Sequence, residues 1–170
     1  AELEFLEAIL AGLATLAVPS QDRRRAFATI AVDGVARFAL GRFWRVATPE
    51  QRKTYLKLFR EYLVFNVTGR LHQHRGTNFA LGRAEPMGGD IAVESKLRMP
   101  GNQPARLKWI VSFASGKPKI VDILAEGTSL RITQRSDYAS VIVQHGGTSI
   151  EPLLTAMRGQ IAKLKAESGT

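Results

Sequence analysis

Three groups of residues have the types and spacing to do chemistry. Asp122 and Glu126 fall on one face of a strand-like run, with Asp137 downstream. A carboxylate in an apolar cavity has a raised pKa and can act as a general base. His72 and His74 are separated by one residue, a spacing that aims two imidazoles together on a strand, but no acidic cluster lies beside them in sequence. Arg23, Arg24, Arg25, Arg131 and Arg135 form the third group. A guanidinium pairs bidentately with phosphate or carboxylate, so these five suit an anionic headgroup or an acidic docking surface.

Each group has a plainer reading. Asp122 beside the Gly127 corner suits a structural hydrogen bond or salt bridge. His72 and His74 suit a polar helix terminus, so no metal is expected. Any single arginine is more often part of a solvated charged face. His145, ahead of Gly146-Gly147, sits where a cationic side chain meets the last carbonyls of a helix and is given no catalytic role.

Composition narrows the classes. Cysteine is absent, which removes disulfides, thiolate nucleophiles and cysteine-based zinc sites. Twenty-four basic residues against 15 acidic ones give a net charge of +9, favouring anionic partners such as nucleic acid or phospholipid headgroups. Nucleic-acid binding ranks last, because the basic residues are spread over the chain and no RNP-like strand, zinc finger or recognition helix accompanies them. No Walker loop, Rossmann glycine pattern or internal repeat is present, so no cofactor is expected. No window of about 18 uncharged apolar residues exists, so no membrane-spanning helix is expected. The sequence opens at Ala1 without a basic-then-apolar leader, and the expectation is a signal peptide already removed.

The elements that must position these residues follow from periodicity. At 170 residues and 45% hydrophobic content, the chain is read as one domain, residues 1–170. Leu3, Leu6, Leu10, Leu13 and Ala17 predict a first helix closed by Pro19, and Phe27, Ile30 and Ala31 a second. A third is expected over about Val35 to Arg42. Thr48-Pro49-Glu50-Gln51 is a capping-box start for a long central helix reaching about Arg70, rich in Leu, Phe and Tyr.

From Asn78 the period becomes two. Ile91, Val93, Leu97 and Met99 alternate with Ala92, Glu94, Lys96 and Arg98; Leu107, Trp109, Val111 and Phe113 alternate with Arg106, Lys108 and Ser112. Turn punctuation at Gly88-Gly89, Pro100-Gly101-Asn102 and Ser115-Gly116 predicts a four-stranded antiparallel meander. The fourth strand is expected to stop at a Gly-Thr-Ser corner and hand over to a helix containing Tyr138, Val141 and Ile142. A last helix follows Ser149 with Leu153, Leu154, Met157, Ile161 and Leu164. The fold class is therefore α+β: an N-terminal helical half and C-terminal helices packed on a curved four-stranded antiparallel sheet.

The order of these segments carries a family resemblance. Thr48-Pro49-Glu50-Gln51 ahead of an aromatic-rich helix, four strands, Val121-Asp122-Ile123-Leu124-Ala125-Glu126-Gly127-Thr128-Ser129, and Gln134-Arg135-Ser136 before Gly146-Gly147 together resemble the MlaC, or toluene-tolerance, family. Thr133 to Asp137 and Gln144 to Gly147 are similar to its hopanoid-associated, HpnM-like branch. The resemblance implies a periplasmic lipid carrier working beside an inner-membrane ABC transporter or other envelope lipid-transport proteins, with transient membrane-surface contact. It also implies an apolar cavity between sheet and helices. Tyr62, Phe65, Ile91, Val93, Leu97, Trp109, Val111, Phe113, Val121 and Ile123 are then the expected lipid-binding wall, and the five arginines the expected headgroup or partner-docking residues. Without the resemblance, the same apolar side chains read as an ordinary close-packed core. The alternative is a small cone-shaped α+β isomerase or dehydratase using Asp122, although no nucleophile, base and orienter stand at recognisable spacing.

Overall fold

The computed structural model describes residues 31–70, 78–98, 105–116 and 119–168; of residues 64–70, 78–81, 97–98, 105 and 167–168 it describes the backbone alone. The first two expected helices, His72, His74 and the Pro100-Gly101-Asn102 turn lie outside these residues. In order come helices α1 (Val32–Leu40), α2 (Phe43–Val46) and α3 (Pro49–Arg70), then strands β1 (Asn78–Met87), β2 (Asp90–Arg98), β3 (Ala105–Ser112), β4 (Lys119–Ala125) and β5 (Thr128–Ser129), then helices α4 (Leu130–Gln144) and α5 (Glu151–Ser168). The class is α+β, as the change of period predicts. The chain divides into two compact units: a helical one from residues 33–69 and 131–170, and one from residues 1–32 and 70–130 that holds the sheet.

In the helical unit, the helix expected over Val35 to Arg42 is α1, which runs from Val32 to Leu40, and the short α2 follows it. Gly41 takes φ +58, a left-handed conformation that ends α1, and α2 begins two residues later. A side chain at 41 would also crowd Arg135, whose Cδ lies 3.1 Å from where a Cβ would stand.

α3 opens with the expected capping box. The Gln51 N–H donates to Thr48 Oγ1 at 3.1 Å, and the Thr48 N–H donates to Gln51 Oε1 at 3.0 Å. The Gln51 side chain then reaches Glu151 Oε1 at 3.1 Å, while Ser149 Oγ accepts the Glu151 N–H at 3.1 Å. The starts of α3 and α5 are therefore tied together.

The helical core is Ala36, Ala39 and Leu40 of α1, Tyr55, Leu58, Phe59, Tyr62 and Leu63 of α3, Tyr138 and Ile142 of α4, and Leu153, Leu154, Met157 and Ile161 of α5, all buried. Tyr55 is fully enclosed. Its hydroxyl donates to the Ala36 carbonyl, and its ring meets Tyr138 edge-on at 6.2 Å. Burial pushes its phenol well above the ordinary tyrosine range. At the surface, Arg60 pairs with Asp33 at 2.6 Å, linking α3 to α1 for less than about 1 kcal/mol, because both groups are solvated. α4 ends on Gly146 and Gly147 at φ +102 and +74, with the Gly147 N–H on the Ile142 carbonyl and His145 Nδ1 2.8 Å from the Val141 carbonyl, the terminus expected for that histidine.

The sheet is an antiparallel meander, β1-β2-β3-β4-β5. It has a fifth strand where four were expected. The Gly-Thr-Ser corner is a hairpin: Glu126 and Gly127 both take positive φ, +50 and +83, as a two-residue primed turn requires, and Thr128–Ser129 pair back onto β4 before α4 starts. Glu126 tolerates this backbone with help from Arg106, whose N–H donates to Glu126 Oε1 at 2.8 Å and whose carbonyl accepts the Glu126 N–H at 3.1 Å.

Two register shifts interrupt the ladder. One lies in β1 between Leu81 and Ala84, where Gly82 passes so close to Glu94 that a Cβ would stand 3.3 Å from the Glu94 Cβ. The other lies between Ile110 and Val111: Ile110 faces Asp122 but Val111 faces Ile120, leaving Val121 as the extra residue of a bulge.

Candidate functional site

The ladder assembles an apolar face on β2, β3 and β4. Ile91 faces Val111, Val93 faces Trp109, and Trp109 faces Ile123, so these five residues share one side of the sheet. Leu107, opposite Ser95, and Ile120, opposite Val111, join them. Leu107 was legible in the same alternation. Ile120 was not, because strict alternation from Ile123 selects Val121, and only the bulge sets its neighbour opposite Val111 as well.

This face grades from closed to open. Leu107, Trp109 and Ile123 are buried, whereas Ile91, Val93, Val111 and Ile120 are only half-buried. Trp109 is fixed by its Nε1–H, which donates to Ser95 Oγ at 2.9 Å, while the Ser95 hydroxyl donates to the Leu107 carbonyl at 3.2 Å. Phe113 lies just past β3 and is 49% exposed, as is Met87 at the end of β1; the register places both at the Ile91–Val111 end of the sheet. Of the other expected wall residues, Tyr62 is buried within the helical unit, where its hydroxyl takes a long hydrogen bond from Gln160 at 3.5 Å. Phe65 and Leu97 belong to α3 and β2, with side chains outside the described residues.

The carboxylates are not brought together. Asp122 pairs with Ile110, on the side of the sheet opposite Trp109, and is buried. Its Oδ1 accepts the Ile123 N–H at 2.8 Å, and its Oδ2 accepts the Ser129 hydroxyl. Oδ2 therefore ties β4 to β5 while Oδ1 is engaged within β4, which is the structural reading of this residue. Glu126 is committed to Arg106, and Asp137 is exposed on α4. Among the described residues, no group of three or more His, Asp or Glu side chains could hold a metal ion.

The arginines gather on the helical unit. Arg131 and Arg135 of α4 both lie over the Phe38 ring, at 4.4 and 4.6 Å from its centroid. Arg23, Arg24 and Arg25 lie outside the described residues. Sequence reasoning missed a second set. Arg37 and Arg52 lie 5.2 and 5.0 Å from the Trp44 ring centroid, Arg52 Nε donates to the Trp44 carbonyl at 2.8 Å, and Arg42 lies 4.8 Å from the Phe43 ring. A cleft of about 650 Å³ opens there, lined by Arg37, Phe38, Gly41, Arg42, Trp44 and Arg45, with a smaller one of about 290 Å³ between Arg42, Phe43 and Arg135. A usable signal was present: Arg37-Phe38 and Arg42-Phe43-Trp44-Arg45 interleave cations with aromatic rings.

Among the described residues, no helix is long and apolar enough to cross a membrane. The overall architecture is similar to that of the phospholipid-binding protein of Ralstonia solanacearum, solved in complex with a phospholipid: the TM-score is 0.71 at 23% identity, over 96% of this chain and 94% of that one. At that identity the likeness speaks for the fold. Residues 22–159 match the family described as MlaC protein. Spanning most of the sequence, that match shows that the chain belongs to the MlaC family.

Proposed function

We propose that this protein is a periplasmic lipid carrier, in which residues 1–170 act as one lipid-binding domain. The observation that carries the reading is the match to the MlaC family over residues 22–159; the phospholipid-bound Ralstonia protein of the same fold supports it. The apolar sheet face, on which Ile91, Val93, Val111 and Ile120 are only half-buried, is compatible with it.

The lipid-binding wall is Tyr62, Phe65, Ile91, Val93, Leu97, Trp109, Val111, Phe113, Val121 and Ile123. Arg23, Arg24, Arg25, Arg131 and Arg135 receive the anionic headgroup or dock on a partner. The partners are an inner-membrane ABC transporter or other envelope lipid-transport proteins, with brief membrane contact. The ligand is a phospholipid, or a hopanoid if the likeness of residues 133–147 to the HpnM-like branch extends to ligand choice.

The physical need is plain. Exposing about 30 methylenes to water costs on the order of 20 kcal/mol at roughly 0.8 kcal/mol each, so free passage through an aqueous space is very slow. An apolar cavity removes most of that barrier. Because bilayer and cavity are both apolar, transfer is close to neutral, and direction comes from partners with differential affinity for loaded and empty carrier.

Organic extraction of natively purified protein followed by lipid mass spectrometry tests this. Stoichiometric co-purifying lipid is expected, and its mass separates phospholipid from hopanoid. Protein that carries no lipid and takes none from liposomes would overturn the carrier reading.

A further inference from the structure

The α1–α2 cleft belongs to none of the roles assigned above. From Gly34 to Thr48 the chain carries three arginines and no carboxylate. Among the described residues, Arg37, Arg42 and Arg45 make no ion pair, and the Asp33 carboxylate just ahead of them is taken by Arg60. The remaining acids on the packed helices are Glu50 and Glu61 of α3, Asp137 of α4, and Glu151 and Glu167 of α5. Of these, Glu50, Glu61, Asp137 and Glu151 do not line the cleft.

Two of the three cations are already oriented. Arg37 lies over Trp44 and Arg42 over Phe43, so each guanidinium sets its charge against a π face, while its N–H groups make no hydrogen bond to another described residue. Pre-oriented donors lose less rotamer freedom on binding, and a guanidinium matches phosphate oxygens two at a time. The cleft, at about 650 Å³, is far larger than an isolated ion needs and suits a glycerophosphate headgroup. Val46, beside Arg45, is 42% exposed and offers an apolar contact at the rim.

From this charge complementarity we infer that Arg37, Arg42 and Arg45 dock the protein on a bilayer surface bearing anionic phospholipid, each guanidinium taking phosphate oxygens of the headgroup layer. A membrane presents phosphates at high lateral density with glycerol groups to fill a concave site. An acidic protein surface presents separate carboxylates and is the competing occupant. The docking rests on the brief membrane contact of the proposed function and gives it residues, but it is separable from lipid carriage, since a protein can rest on a bilayer without holding one of its lipids.

The test is flotation of the full chain with vesicles of phosphatidylcholine alone and of equal parts phosphatidylcholine and phosphatidylglycerol. Binding is expected to the anionic vesicles only, weakening as salt is added. The triple variant R37Q/R42Q/R45Q is expected to lower the partition coefficient roughly 100-fold, at about fivefold per arginine near an anionic surface. The single variant Arg45→Gln, at an exposed residue, is expected to lose about fivefold and stands in should the triple variant fold poorly. A control triple, K53Q/K57Q/K163Q, removes the same charge from exposed positions elsewhere and is expected to lose less than either. Equal loss in the lysine control, binding to neutral vesicles, or indifference to both vesicles alongside salt-sensitive binding to polyglutamate would overturn the proposal. Lipid extraction of the same preparations reads the carrier function separately, so failure of one idea leaves the other standing.

Discussion

Tyr55 shows how one residue can tie burial to pH. Its phenol is enclosed and donates to a helix carbonyl, so Tyr55→Phe is expected to cost about 1–3 kcal/mol, measured by urea denaturation, through the polar group left without its partner. The sign of its pH dependence follows from the raised pKa. The neutral form is favoured in the folded state, so the stabilisation is complete below about pH 10, the unfolded value, and declines above it by up to about 1.4 kcal/mol per pH unit. Tyr55→Phe should lack that component, and comparing urea midpoints of both proteins at pH 9 and pH 11 isolates it from lysine titration. The sequence was only partly legible at this scale. The Thr48–Gln51 box and the role of His145 depend on residues three or four apart, and local spacing exposes them. The Tyr55–Ala36 and Trp109–Ser95 bonds join residues 19 and 14 apart, and no local pattern marks such pairs.

Among the described elements, the long helices from α3 on and the long strands were legible because hydrophobic period survives any detail of packing. What escaped were points where backbone conformation departs from the regular: Gly41, which ends α1 just ahead of the short α2; Glu126–Gly127, which adds a fifth strand; and the Val121 bulge, which brings Ile120 opposite Val111. Interleaved arginines and aromatics were visible at positions 37–45, but a cation over a ring depends on rotamers that spacing does not specify. Two expectations test these elements. Gly127→Ala meets no steric neighbour, so its cost should be the strain of a left-handed alanine, about 1 kcal/mol in urea denaturation. Thr48→Ala removes the acceptor for the Gln51 N–H and should also lower stability by about 1 kcal/mol.

For the whole molecule, the apolar sheet face should separate carriage from folding. Val93→Arg sets a charge on a half-buried position of that face, and its expected effect is at least a tenfold fall in co-purifying lipid with a much smaller change in melting temperature. Equal loss of both would mark Val93 as ordinary core.

The helical unit is drawn from two stretches of chain, residues 33–69 and 131–170, with the sheet threaded between them. Gln51 meets its partner on Glu151 only after 100 residues have been looped out, whereas each strand of the meander waits only for the next. Loop-closure entropy therefore sets a schedule: hairpins can assemble from nearby chain, and the helical core must wait for the tail. As the polypeptide emerges N-terminus first, the side of α3 that meets Tyr138 and Gln160 stays uncovered until α4 and then α5, which ends at Ser168, have been released.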